Sequence, residues 1–156
     1  MIRKLIFIFI CSLAITTAYS QTQAKLVLKN GDILDIYHLG QANCNGRMFY
    51  NGYLMIKGLY NGINTELKDF SKLKSIELVG FTTDPVKTGN NEKATIIVER
   101  NNGSVFTLED AELIMACYGS GEMYNQLKLQ VVNPLTDKVD ESAFATKDIQ
   151  KIILLH

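Results

Sequence analysis

The chain has 156 residues, with 16 basic and 16 acidic side chains and a formal charge of zero. Nucleic-acid binding requires a basic patch, and this balance offers none. The length suits one compact domain or two very small ones.

Residues 1–20 have the three parts of a secretory signal peptide. Arg3 and Lys4 supply a positive start, Leu5 to Ile15 an apolar middle, and Ala18-Tyr19-Ser20 a small-x-small cleavage site before Gln21. A spanning helix needs about 20 apolar residues, and this run breaks earlier, at Thr16-Thr17. The bulky Ile8-Phe9-Ile10 before Cys11 argue against a lipoprotein site. The expectation is an exported protein, periplasmic or at the cell surface of a Gram-negative bacterium, with no transmembrane segment in the mature chain. Without Arg3 and Lys4 the balance is 14 basic against 16 acidic residues.

Helical periodicity is poor beyond residue 20. Short apolar runs alternate with Asn30-Gly31, Asn45-Gly46, Asn51-Gly52, Asn61-Gly62 and Asn102-Gly103. Asn and Gly tolerate positive φ, so each pair is a hairpin signal. The pattern predicts strands over 24–29, 32–39, 47–50, 53–59, 63–68 and 75–79. A two-residue type I′ turn is expected at Asn30-Gly31. That register puts Leu26, Leu28 and Ile33 on one face of the hairpin and Val27, Leu34 and Ile36 on the other. A single helical turn is expected over Asp69-Phe70-Ser71-Lys72-Leu73. Residues 82–93 read as a linker.

The second half repeats these events. Gly31 aligns with Gly103, Leu34 and Ile36 with Phe106 and Leu108, and Gly46-Arg47-Met48-Phe49 with Gly121-Glu122-Met123-Tyr124. Leu73 to Leu78 then align with Ile149 to Leu154. The offset drifts only from 72 to 76 residues, which points to a duplication. The expected organisation is a signal peptide at 1–20, a first β repeat at 21–81, the linker at 82–93 and a second β repeat at 94–156.

Leu26-x-Leu28-x-Asn30-Gly31-Asp32, with Leu67-x-Asp69-Phe70-Ser71-x-Leu73-x-Ser75-Ile76-Glu77-Leu78, resembles the SH3-like small barrels of exported bacterial proteins. The resemblance covers about 55 residues of each half. It implies an all-β fold of two tandem SH3-like small barrels, or curled antiparallel sheets, packed together. It also implies a non-enzymatic binding or scaffolding module. The second half departs from the pattern at Leu113 to Tyr118, which extend a strand, and at Asn133-Pro134-Leu135-Thr136-Asp137, which replace a tight turn.

Chemistry is sparse. His38 and His156 are the two histidines, and they lack zinc-ligand spacing. No metal site and no cofactor are expected. His38 with Cys44 and Asp35 is the one arrangement that suggests a hydrolase. Cys44 and Cys117 occupy similar places in the two halves. They are either an inter-repeat disulfide, as export permits, or two buried thiols. Asp32, Asp35, Glu109, Asp110 and Glu112 read as solvated surface, and Asp137, Asp140 and Glu141 lack EF-hand spacing. Tyr50, Tyr53, Tyr60, Tyr118 and Tyr124 are the candidate partner-binding residues, because loop-tip tyrosines anchor proteins or stack on sugars. The leading expectation is a protein partner. The alternatives are a glycan- or peptidoglycan-binding module and a small secreted hydrolase.

Overall fold

The computed structural model describes residues 22–39, 52–82, 92–117, 123–124 and 126–156. Its strands are β1 (Ala24–Leu28), β2 (Ile33–His38), β3 (Gly52–Tyr60), β4 (Ile63–Leu67), β5 (Leu73–Thr82), β6 (Lys93–Arg100), β7 (Val105–Cys117), β8 (Met123–Tyr124), β9 (Gln126–Val132), β10 (Val139–Ala145) and β11 (Ile149–Leu154). The fold is all-β, as the turn-punctuated sequence leads one to expect. Residues 1–20, the predicted strand 47–50 and most of the linker lie outside the described residues.

Every strand pairing is antiparallel, along the order β10-β9-β2-β1-β11-β5-β6-β7-β3-β4, with β8 beside β7. The path is open, since β10 and β4 each have one neighbour among the described residues. Strands of the two halves do not segregate. β2 pairs with β9, β1 with β11 and β7 with β3. The expected barrels, each built from one half, are therefore not what the strand order displays. Exchange each strand for its counterpart (β1 for β6, β2 for β7, β3 for β9, β4 for β10, β5 for β11) and the order reads backwards. The approximate twofold lies between β5 and β11, where Ile76 pairs with Ile152 and Glu77 and Ser75 pair with Lys151 and Ile153. Both isoleucines are fully buried, each contributing about 1.5–3 kcal/mol relative to an exposed side chain.

The two hairpin turns obey the same symmetry. The Leu28 N–H donates to the Asp32 carbonyl at 2.9 Å, as Arg100 does to Ser104 at 2.8 Å. Gly31 donates to Leu28 at 3.0 Å and Gly103 to Arg100 at 2.9 Å. The Asn30 and Asn102 side chains each accept a bond, from Asp32 N–H and Ser104 N–H, at 3.0 Å. The Lys29 N–H reaches the Asp148 carbonyl at 2.9 Å, and its counterpart Asn101 reaches Lys72 at 3.0 Å. Gly31 and Gly103 do occupy equivalent turns.

The turn type differs from the expected one. Gly31 has φ 95°, while Asn30 is not left-handed, so the loop has three residues and ends in a glycine bulge. That slips the register by one, and Val27 faces Ile33 while Leu26 faces Leu34. Slipping one residue exchanges the faces of a strand. Ala24, Leu26, Leu34 and Ile36 therefore share the inner face, and Ile33 is 62% exposed. The two-sided apolar pattern was largely a consequence of the wrong register. A type I′ turn is found instead at Asn61-Gly62, with φ values of 50° and 76°. Replacing Gly31 or Gly103 by Ala forces a Cβ into left-handed backbone, and each substitution should cost about 1 kcal/mol. The two effects should add in urea titrations of the single and double variants.

β7 carries the sharpest irregularity. Asp110 has φ 48°, and Asp110 with Ala111 stands opposite Gly58 alone, since Lys57 faces Glu112 and Leu59 faces Glu109. This bulge changes the parity of the inner face, which runs Phe106, Leu108 and then Ala111, Leu113, Met115. A bulge bends its strand, and β7 passes here from its pairing with β6 to most of its pairing with β3. One apolar cluster extends through both ends of the sheet, and a second, smaller one holds Met55, Ile114 and Ala116. The expected helical turn before β5 is a hydrogen-bonded turn, Leu73 N–H to Phe70 carbonyl at 3.0 Å. Its counterpart before β11 is a 3-10 turn, Thr146–Asp148. The expected departures in the second half are present: β7 runs on to Cys117, and Asn133 to Lys138 form a wide turn.

Candidate functional site

An apolar cleft opens beneath β4, where that strand curls over β5, β6 and β7. Its volume is about 180 Å³, and Thr65, Leu67, Leu73, Val98 and Leu108 form its walls. Tyr60, Arg100 and Phe106 frame its mouth. The type I′ turn brings Tyr60 to the last inward position of β3, opposite Ile63 on β4. The bulged turn after β6 sets Arg100 and Phe106 on neighbouring strands. The Tyr60 and Phe106 rings meet edge to face, with centroids 5.6 Å apart at 68°. The Arg100 guanidinium lies 5.2 Å from the Phe106 centroid, within cation–π range. No carboxylate pairs with Arg100 among the described residues.

The other end of the sheet supplies an internal comparison. Positions equivalent to Val98, Arg100, Phe106 and Leu108 are Leu26, Leu28, Leu34 and Ile36, and the position equivalent to Tyr60 is Val131, buried on the inner face of β9 opposite Ile36. The scaffold is thus built with aliphatic residues at all five. The aromatic pair and the cation exceed what packing requires. The opening near Leu28 is about 500 Å³, bordered by Lys29, Asn30 and Asp148, and is a wider, more polar feature.

Charges around the cleft are arranged on the outer face. Glu66 of β4 bonds Lys68 at 2.9 Å and Lys57 at 3.2 Å, and these hydrogen bonds, Lys68 first, hold its carboxyl below the usual range. Glu99 is lowered mainly by its 2.7 Å bond from Lys74. Asp69 is lowered by bonds from Ser71, side chain first and then backbone. A lowered folded-state value means stability that is present above the unfolded value and lost as pH falls through the folded one. Glu66 and Asp69 are exposed and Glu99 is half-buried at the surface, so the effect is small. The melting temperature should decline gently from about pH 5 to about pH 3, and less so in high salt.

Of the predicted site residues, Tyr60 lies at the cleft and is 37% exposed. Tyr53 is half-buried on the opposite face of β3 against Met55, Ile114 and Ala116, so the two are not one surface. Tyr124 lies on β8, whereas Tyr50, Tyr118 and Cys44 lie outside the described residues. Cys117 ends β7; the proposed disulfide falls partly on undescribed residues. His38 is on β2 as expected, edge-on to Tyr37 at 5.4 Å. Asp35, considered as its orienting acid, is paired with Lys25 at 2.9 Å. His156 donates to the Leu73 carbonyl at 2.6 Å. No group of three His, Cys, Asp or Glu able to hold a metal occurs among the described residues. No helix among them is long and apolar enough to cross a membrane.

Arg100 and Phe106 were missed from the sequence. Their signal was present in the repeat alignment, where Leu28 and Leu34 of one half become a cation and an aromatic in the other. No protein family, curated protein or solved structure matches this chain.

Proposed function

We propose that this chain is an exported, non-enzymatic binding or scaffold protein of the bacterial cell envelope, taking a protein partner at the cleft under β4. The observation that carries the reading is the substitution of Tyr60, Arg100 and Phe106 for aliphatic residues at one end of an otherwise repeated sheet. Aromatic and arginine side chains dominate protein-binding energetics. β4 also keeps one edge unpaired among the described residues, and an extended segment can add to such an edge while its side chains enter a pocket. Export rests on residues 1–20 as a signal peptide.

We read each five-strand set as an SH3-like small barrel of mixed origin. In β5-β6-β7-β3-β4 and β11-β1-β2-β9-β10, the first hairpin of one repeat completes the last three strands of the other. Duplication followed by hairpin exchange accounts for the reversed strand order.

The test is recovery of partners from an envelope extract with the tagged protein. Tyr60→Ala and Arg100→Ala should each lower specific recovery by about 30-fold, the effect of losing a hot-spot side chain. Tyr53→Ala, on the other face, should not. Equal recovery by all four proteins would remove the cleft from the account.

A further inference from the structure

We propose that the cleft under β4 receives Leu135 of a second copy of this chain, so that copies associate head to tail. The inference rests on reading the cleft as a binding site. Leu135 is 92% exposed, so it does not fill the cleft, and it is the most exposed large apolar side chain among the described residues. Its loop is held rigid. The Asn133 side chain accepts the Leu135 N–H at 2.9 Å and donates to Asp140 at 3.3 Å. The Asn133 N–H donates to the Lys138 carbonyl at 2.8 Å, and its own carbonyl accepts Asp137 N–H at 2.9 Å. Asp137 takes φ 54° to close the turn. An apolar side chain displayed on an already ordered loop loses little entropy on docking. A cleft of about 180 Å³ has room for one branched aliphatic side chain.

Charge fixes the direction. The loop and the strand after it carry Asp137, Asp140 and Glu141 against Lys138, all exposed. The mouth of the cleft carries Arg100 without a carboxylate partner, and Lys72 lies beside it in an adjoining recess. Asp69, near Lys72, is occupied by Ser71, and Glu99 by Lys74. The acidic loop therefore meets a basic rim. Knob and hole also sit at the two ends of the strand path, next to the edge strands β10 and β4. A contact between unlike surfaces propagates into rings or chains rather than stopping at a symmetric dimer.

Velocity sedimentation of the purified protein reads this out. The wild-type coefficient should rise with concentration up to about 1 mM and fall back at about 0.5 M salt. Leu135→Asp and Arg100→Glu should each sediment as monomers. Mixed, they should form dimers and nothing larger, because the first keeps the hole and the second keeps the knob. A monomeric wild type, association unaffected by either change, or a mixture that stays monomeric would each overturn the proposal. A monomeric wild type that still recovers another protein through Tyr60 would overturn self-association while leaving the binding reading intact.

Discussion

Expressed apart, residues 22–82 and residues 92–156 should each lack a cooperative thermal transition by circular dichroism. Mixed, they should regain one. In the intact fold the first half contributes the hairpins β1-β2 and β3-β4 and the strand β5, and none of these three pieces pairs with another. The neighbours of β1 and β2 are β11 and β9, that of β3 is β7, and those of β5 are β11 and β6. The second half is in the same position. An isolated hairpin is marginal in water, and each fragment would expose inner faces that only the other covers. Joining the halves in one chain replaces a bimolecular association by an intramolecular one, with an effective concentration in the millimolar range. Complementation should therefore need more protein than folding of the intact chain. A fragment 22–82 that is monomeric and melts cooperatively would be incompatible with the interleaved strand order.

Gly58→Ala should be among the most damaging single-atom additions to this fold. A Cβ at position 58 would lie 2.6 Å from the Ala111 Cβ, 3.0 Å from its Cα and 3.1 Å from the Glu109 carbonyl oxygen. Two of those atoms are backbone, held by the bulge, and cannot swing aside. Overpacking of this kind costs about 1–3 kcal/mol, and the upper end is expected because the added Cβ would meet backbone atoms of β7 that the bulge holds in place. For a domain of this size that is a melting-temperature drop of about 10 °C. Ala111→Gly should restore part of the loss in the double variant, since it removes the nearest atom. Gly62→Ala supplies the contrast. No atom crowds that position, so its cost should be only the left-handed backbone, about 1 kcal/mol. Equal losses at positions 58 and 62 would show that crowding is not the cause.

The strand segments were legible because apolar runs and Asn-Gly pairs report local backbone preferences. The internal repeat of the strand order was legible because the same landmarks recur in order. What the residues could not convey was which half supplies each neighbour. Equivalent strands present similar edges, so a hairpin such as β3-β4 fits beside β7 as readily as beside β2. Register at Asn30-Gly31 was misread for a physical reason. Asn-Gly serves both a two-residue type I′ loop and a three-residue loop with a glycine bulge, and they differ by one position. Asp110 hid the second register change, because nothing in Glu109-Asp110-Ala111 marks a left-handed residue within a strand. At the cleft, Tyr60 was visible as a loop-tip aromatic. Arg100 and Phe106 come to it from β6 and β7 of the other half, and their meeting depends on an interleaved strand order that the sequence conceals.

Ala24 pairs with Leu154, and this long-range closure has a consequence for the order in which the protein is made. While the first half is being synthesised, neither five-strand set has all its members; one becomes complete only with β7 and the other only with β11. Contacts so distant in sequence form slowly, because loop-closure entropy must be met before they contribute. With that schedule, neither set can close before β7 has been made. On the reading that it is exported, delayed folding keeps it threadable until it has crossed the membrane.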